Sequence, residues 1–224
     1  MFRVTATMLE AYNRFLTNEY ATAEDLHQSL SGATEETEAM RLGSAVHTAL
    51  EQWGQWLHMP PSGHEMAYNS EQYPTYMLSL QSLQENAWLA NGWLQEIETV
   101  CPIELPDGRV VNLKCRADAI AGYTVVDHKV TGRSITEANH KAYEQSYQWR
   151  AYLVAFGCTR FIYNLMRWEQ GENGVYVMTE QDTAYMKDYP GIAEDVQRMV
   201  ADLVRYCETN GLGHCLHKQM EVSP

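Results

Sequence analysis

Two aspartates and a lysine lie close together in the middle of this sequence, at Asp118, Asp127 and Lys129. Two carboxylates that converge repel each other, and a hard divalent cation removes the conflict by taking both as oxygen ligands. A lysine beside them can stabilise developing negative charge or orient a water. This is the set of groups that phosphodiester hydrolysis needs. Taken alone, Asp-x-Lys also occurs as a solvated charge pair at the end of an ordinary strand. The rest of the sequence has to decide between this interpretation and a catalytic one.

The sequence around these residues predicts a β-hairpin that gathers them. Two short strand patterns are separated by a turn at Ala121-Gly122. Successive side chains of a strand point to opposite faces, so Asp127 and Lys129 share one side and His128 points to the other. Pairing of the two strands would then bring Asp118 across to face Asp127.

A helical pattern upstream carries a candidate metal ligand, His47. Gly43, His47 and Glu51 follow one another at four-residue spacing and therefore share one stripe of the helix. Gly43 would permit a close backbone approach there. A lone histidine on a helix is more often structural than a metal ligand, so only the other motifs can support a ligand role for His47.

A second helical pattern downstream places Gln148 and Tyr152 one turn apart, on an apolar segment that ends at Gly157. These two polar groups would lie on the same side of that helix. The alternative is ordinary amphipathic packing with a buried tyrosine hydroxyl.

In this order, the motifs resemble those of the RecB-like branch of the PD-(D/E)xK nuclease superfamily. The segment from Val4 to Tyr12 is similar to the short strand and first helix that begin many such domains. The motifs that carry the resemblance are Gly43-x-x-x-His47, Asp118, Asp127-His128-Lys129 and Gln148-x-x-x-Tyr152. No single motif is specific, but the ordered set is.

The resemblance implies an α/β fold with a central mixed β-sheet flanked by helices. It also implies roles for the site residues. The metal ligands would be His47, Asp118, Asp127 and the main-chain carbonyl of His128. The catalytic set would be Lys129, Asp118, Asp127, Gln148 and Tyr152, with Glu96 or Glu98 as a weaker candidate for an outer carboxylate. The family often has an aromatic or aliphatic residue where this chain has His128, and we assign no ligand role to its side chain.

The implied cofactor is one or two Mg²⁺ or Mn²⁺ ions, and a histidine ligand favours Mn²⁺ more than an all-carboxylate site does. Some RecB-like nucleases hold an iron–sulfur cluster with one early cysteine and a compact cysteine group near the carboxyl end. We expect no such cluster here, because no cysteine precedes His47 and there is no Cys-x-x-Cys motif. We interpret the following five cysteines as free thiols, mostly buried: Cys101, Cys115, Cys158, Cys207 and Cys215.

The formal net charge of −13 opposes binding to phosphates, but the charge is unevenly distributed. Between residues 107 and 167, nine basic residues outnumber five acidic ones, which leaves −17 for the rest of the chain. The basic excess surrounds the motifs, where a DNA backbone would lie. A solvated sheet rim is the alternative. The candidate DNA-binding residues are Arg116, Arg133, Lys141 and Arg150.

The 224 residues are predicted to form a single domain, 1–224, with no apolar run long enough to span a membrane. Helices are predicted after residue 4 and at about 37–58, 71–90, 138–156 and 192–208, and 21–38 is a loop or short helical excursion. Strands are predicted at about 92–100, 110–120, 123–129, 160–168 and 174–179. We expect the protein in the cytoplasm of a bacterial or phage-infected cell.

The resemblance implies a metal-dependent DNA exonuclease that acts on DNA ends with a single-strand preference, in phage or bacterial recombination, repair or replication. Two alternatives stay open on the same fold: a structure-specific endonuclease, and a non-catalytic nucleic-acid-binding subunit. The sequence does not decide whether the protein forms a homo-oligomer or binds a recombination partner protein. We expect alanine at Asp118, Asp127 or Lys129 to abolish cleavage and leave the fold intact.

Overall fold

A computed structural model describes residues 2–56, 67–68, 70–86 and 93–217, and all structural statements below refer to these residues. The chain has the predicted α/β fold, with a central mixed sheet between helices. The strands are β1 Phe2–Thr5, β2 Ala67–Tyr68, β3 Met77–Ser79, β4 Leu94–Glu104, β5 Val110–Ala121, β6 Thr124–Thr131, β7 Arg160–Gln170 and β8 Val175–Lys187. The helices are α1 Ala6–Thr17, α2 Ala23–Ser31, α3 Glu38–Trp56, α4 Leu80–Glu85, α5 Glu137–Gln145, α6 Gln148–Phe156 and α7 Ile192–Thr209. A short 3-10 helix follows at Gly213–His217.

The strands lie in the order β1-β5-β6-β7-β8-β3-β2, and β4 pairs with the other edge of β5. Along the shared edge of β5, parallel β1 pairs with residues 111–114, whereas antiparallel β6 pairs only with residues 119–121. Residues 115–118 of β5 therefore have no neighbouring strand on this edge. We call this gap, where β1 and β6 diverge, the fork.

Apolar side chains bury both faces of the sheet. On one face, α1, α6 and α7 pack through residues such as Leu9, Leu153 and Leu203 against the central strands. On the other face, α3 and α4 supply a smaller cluster that includes Val46 and Leu83. The fork thus lies between two helical layers, with α6 on one side and α3 on the other. No described helix combines the length and the apolar character needed to cross a membrane.

Two helix predictions differ from the structure. The predicted helix 138–156 is broken into α5 and α6, because the backbone amides of Tyr147 and Gln148 bond to the Glu10 carboxylate rather than to carbonyls of α5. The predicted helix 71–90 is wrong over most of its length. Residues 71–76 form turns around Pro74, which disfavours a helix, and β3 follows before the short α4. Residues 87–90 lie outside the described part.

Three other segments extend or refine the predictions. The excursion at 21–38 contains α2, which begins with a capping box between Thr22 and Asp25 and ends at Gly32, where φ is 71°. Strand β4 continues beyond the predicted 92–100 to residue 104, and residue 92 lies outside the described part. Strand β8 continues from the predicted 174–179 to residue 187, because it pairs along β7.

Candidate active site

The site begins where the fork leaves backbone groups without ladder partners. The amide of His128 in β6 donates to Asp118 Oδ2 at 2.6 Å. The carbonyl of Arg116 in β5 accepts from the Tyr152 hydroxyl of α6, also at 2.6 Å. Buried backbone groups need such partners. Asp118 and Tyr152 therefore replace the ladder bonds that β5 and β6 do not make with each other.

The imidazole of His47, in α3, bridges the two strands at the fork. Its Nε2 lies 2.9 Å from the main-chain carbonyl oxygen of His128, and its Nδ1 lies 3.4 Å from Asp118 Oδ2. Burial opposes the charge on His47, but the Asp118 carboxylate outweighs it and raises the pKa of this histidine. The same contact holds the pKa of Asp118 below its usual range despite burial. The structure thus brings His47, Asp118 and the His128 carbonyl together, as predicted.

Glu96 completes this group, where the sequence offered it only as one of two weaker candidates. It lies on β4 opposite Asp118, since Gln95 pairs with Ala119 and Ile97 with Ala117. Its φ of 52° is the only positive value at a described non-glycine residue, and such strain is often found at functional positions. Burial and the neighbouring Asp118 raise the pKa of Glu96, although an ion pair with Arg116 opposes this.

The donor set suits a divalent cation. Among the described residues, one group of three metal-ligating side chains has its ligand atoms within 4.8 Å of one another: His47, Glu96 and Asp118. They line a cavity of about 10 Å³, which is the space of roughly one water molecule. Two carboxylates, an imidazole and a nearby carbonyl suit Mn²⁺ or Mg²⁺ better than a thiol-preferring metal. The residues present therefore fit the implied ion.

Asp127 lies next to this group but outside it. Its side chain is 5% exposed, its Oδ1 accepts from Gln148 Nε2 at 3.0 Å, and Lys129 Nζ lies 2.6 Å from its Oδ2. The predicted convergence of Asp127 with Asp118 as joint ligands therefore differs from the geometry. The hairpin pairing ends at Ala119 and Val126. Beyond it, the Asp127 carboxylate contacts the side-chain amide of Gln148 and the ammonium of Lys129.

The Asp127–Lys129 pair is electrostatically coupled to the rest of the site. Burial raises the pKa of Asp127, and Asp118 adds to the effect, while Lys129 opposes it. Burial would lower the pKa of Lys129, but Asp127 raises it above its ordinary value. The ammonium is therefore kept charged beside the candidate metal ligands, on the face shared by Asp127 and Lys129 that the sequence predicted.

The comparisons with known proteins decide the family. The sequence model of the PD-(D/E)XK nuclease superfamily matches residues 11–215. The chain belongs to this superfamily. Its fold is similar to that of the solved protein SSO0001, with a TM-score of 0.50, 16% identity, and coverage of 92% of this chain and 76% of that one.

Two exonuclease structures are also similar to this PD-(D/E)XK protein. A phage-related exonuclease from Haemophilus somnus 129PT has a TM-score of 0.44 and 11% identity, over 93% of this chain and 95% of that one. An alkaline exonuclease from Laribacter hongkongensis has a TM-score of 0.43 and 12% identity, over 93% and 89%. No curated protein sequence matches the chain significantly.

The side chain of His128 anchors a buried polar network in this PD-(D/E)XK protein. Its Nδ1 accepts from Asn164 Nδ2 at 3.0 Å, and the same amide donates to Asn86 Oδ1 at 2.9 Å. Gln181 Nε2 donates to both asparagines. Burial lowers the pKa of His128 to about 4, so its ring is neutral at pH 7. The sequence predicted that this ring points away from the metal site, but isolated polar residues gave no signal of the network.

The four candidate DNA-binding residues have different surroundings. Arg116 lines an open groove of about 830 Å³ that also contains His47 and Lys129, and its side chain is 61% exposed. Arg133 is exposed, and Lys141 is exposed and paired with Glu137 of its own helix. Arg150 is held by packing contacts outside this groove.

The Arg150 guanidinium lies between aromatic rings, 4.3 Å from the centre of the Trp149 ring, and its Nε donates to the Tyr189 hydroxyl at 3.1 Å. A second nitrogen donates to the Ser146 carbonyl. These partners hold α6 against the segment before α7. The structure therefore gives Arg150 packing contacts, and Arg116 is the one of the four that the groove includes.

Proposed function

We propose that this protein is a Mg²⁺- or Mn²⁺-dependent deoxyribonuclease that hydrolyses DNA from its ends with a preference for single strands. The observation that carries the proposal is the position of the Asp127–Lys129 ion pair beside the group of His47, Glu96 and Asp118. The converging carboxylates beside this lysine repel one another unless a metal ion binds between them. Catalysis therefore explains the arrangement better than folding alone does.

His47, Glu96, Asp118 and the His128 carbonyl would hold the metal ion, with Asp127 as a further predicted ligand. A bound ion would lower the pKa of a water and neutralise charge on the scissile phosphate. Lys129 would orient that water or stabilise the negative charge of the transition state, since its charged ammonium donates hydrogen bonds and cannot accept a proton. Its contact with Asp127 at 2.6 Å fixes where the ammonium lies.

The remaining predicted residues support this chemistry from α6. Gln148 fixes one oxygen of Asp127, which leaves the other to Lys129. Tyr152 holds the backbone of β5 two residues before Asp118. Burial raises the pKa of Tyr152, so its hydroxyl stays protonated and continues to donate. Arg116, at the rim of the groove, would contact the DNA backbone.

The preference for DNA ends and for single strands is proposed from the resemblance to RecB-like nucleases that act as exonucleases. The same resemblance suggests a place in phage or bacterial recombination, repair or replication, in the cytoplasm. A homo-oligomer or a recombination partner protein is compatible with that role.

End-labelled single-stranded and double-stranded DNA, incubated with Mg²⁺, Mn²⁺ or a chelator, tests the proposal. We expect metal-dependent release of short products, faster from single strands and abolished by chelator. Covalently closed circular DNA of the same sequence is the control, because an exonuclease leaves it intact and an endonuclease cuts it. Calorimetric metal and DNA binding without turnover would refute catalysis and support a binding subunit.

A further inference from the structure

The carboxylate of Glu10, in α1, lies at the N-terminus of α6. Its Oε2 accepts from Ser146 Oγ at 2.6 Å, from the Tyr147 amide at 2.8 Å and from the Gln148 amide at 3.4 Å. Tyr147, which precedes α6, provides no side-chain cap. The first amides of a helix need acceptors, and a negative charge there also interacts favourably with the helix dipole. Glu10 therefore serves as the cap of α6, supplied from a distant part of the chain.

The capped residues lead directly to the candidate active site. Gln148 is the first residue of α6, and its side-chain amide donates to Asp127 Oδ1 at 3.0 Å. The hydroxyl of Ser146 accepts a hydrogen bond from the buried Tyr163 hydroxyl at 3.1 Å. The Tyr163 ring centre lies 5.7 Å from Lys129 Nζ. One carboxylate thus organises contacts to both members of the Asp127–Lys129 pair.

The break between α5 and α6 makes this cap necessary. The backbone turns at Ser146, where ψ is 140°, so the amides that follow have no preceding helical turn to bond to. The Gln148 amide also donates to Ser146 Oγ at 3.1 Å, and Glu10 holds that hydroxyl in place at 2.6 Å. Loss of Glu10 would therefore leave the Tyr147 amide without its acceptor and free the Ser146 side chain, which would loosen the first turn of α6 and Gln148 within it. A displacement of about 1 Å in a group that orients an active-site carboxylate is enough to lower a rate strongly.

We propose that Glu10 is a positioning residue, which fixes the first turn of α6 so that Gln148 holds the Asp127 carboxylate toward Lys129. This inference rests on the proposed nuclease function for its effect on rate. Its structural part concerns the side-chain amide of Gln148 and is measurable whether or not the protein cleaves DNA.

The structural part is tested by ¹⁵N NMR of the full-length protein, with the Gln148 side-chain signals assigned from a Gln148→Met spectrum. In Glu10→Ala we expect these signals to move toward those of solvent-exposed glutamines and to exchange faster with water. Glu19, an exposed carboxylate in the segment after α1, supplies the control: Glu19→Ala removes the same charge and leaves the Gln148 signals unchanged.

Unmoved Gln148 signals in a folded Glu10→Ala protein would overturn the proposal. If Glu10→Ala does not fold, Glu10→Gln decides in its place, because it keeps an acceptor oxygen and removes only the charge. We expect its Gln148 signals to move in the same direction by a smaller amount, and signals identical to those of the wild type would equally overturn the proposal.

Kinetics on labelled single-stranded DNA test the functional part through a double-mutant cycle. We expect Glu10→Ala to lower kcat roughly tenfold with KM nearly unchanged, and the double variant with Gln148→Met to be no slower than Gln148→Met alone. Effects that multiply would refute action through Gln148. An inactive wild type with every metal would refute the proposed function instead, while the NMR result would still decide the role of Glu10.

Discussion

Replacing Glu96 with glutamine separates metal binding from folding, because the two respond in different ways to the same change. Glu96→Gln keeps the shape of the side chain and removes its charge. In the metal-free protein that charge faces Asp118, which together with burial raises the pKa of Glu96. A carboxyl group whose pKa is raised by folding destabilises the folded state as the pH rises above its unfolded-state pKa, so the ionised form of Glu96 opposes folding.

The magnitudes follow from the contacts. The glutamine loses the ion pair with Arg116, whose side chain is 61% exposed, and such pairs contribute less than about 1 kcal/mol. Relief of the repulsion from Asp118 offsets this loss. We therefore expect the free energy of unfolding in chelator to change by less than about 1 kcal/mol. The candidate metal group loses one of its three side chains, and we expect the affinity for Mn²⁺ to fall at least about tenfold, or 1.4 kcal/mol.

Urea unfolding in chelator and calorimetric titration with Mn²⁺ measure the two effects on the same preparations. Glu98→Gln is the matched control, because Glu98 lies two residues further along β4 and pairs with Lys114 outside the cavity. We expect it to bind Mn²⁺ as the wild type does. Unchanged Mn²⁺ affinity in Glu96→Gln would show that the His47, Glu96 and Asp118 group does not bind the metal through Glu96.

Three further substitutions test other parts of the site. Lys129→Met leaves the buried Asp127 carboxylate unpaired, so we expect cleavage to fall at least about a hundredfold and urea unfolding to show a loss of about 2–4 kcal/mol, which the added Asp127→Asn change partly restores. Asn164→Leu removes the partner of His128 Nδ1, and thermal and urea unfolding should show a loss of about 2–4 kcal/mol. Gly43→Ala adds a Cβ at an ordinary 3.9 Å from Val130 Cβ, so we expect unchanged cleavage and a stability gain of up to about 1 kcal/mol; a loss of activity would support the close approach predicted from the sequence.

The residues predicted from the sequence are those whose position follows from local periodicity. Asp127 and Lys129 share a face because strand side chains alternate, and the ion pair at 2.6 Å agrees with that prediction. His47 projects from α3 into the same groove as Glu51, one helical turn later, for the equivalent reason in a helix. Periodicities of two and 3.6 residues thus predicted most of the fold. Together with the family resemblance, they also predicted two of the three side chains of the candidate metal group, His47 and Asp118.

Glu96, which the sequence offered only as a weaker candidate, and Glu10, which it did not single out, depend on pairings between distant segments. Glu96 faces Asp118 only through the register of β4 on β5. Its left-handed backbone conformation cannot be predicted from a glutamate, because positive φ values are typical of glycine. Glu10 reaches Tyr147 only because α1 packs beside the break before α6. No periodicity within either segment records these contacts, since the partner that gives each carboxylate its role lies far away in the chain.

The fork also changes how the site has to be tested. Asp118 accepts a hydrogen bond from the His128 amide, which β5 leaves unpaired, so alanine at this position removes a proposed metal ligand and a backbone partner together. Leaving a buried amide without an acceptor costs about 1–3 kcal/mol, and the expectation that Asp118→Ala preserves the fold therefore needs revision. Asp118→Asn keeps a side-chain oxygen for that amide and removes the charge that would bind the proposed metal ion. Both variants should lose Mn²⁺ affinity and the stabilising contact between the Asp118 charge and His47. Only Asp118→Ala also leaves the His128 amide without an acceptor, so we expect it to be the less stable of the two in chelator.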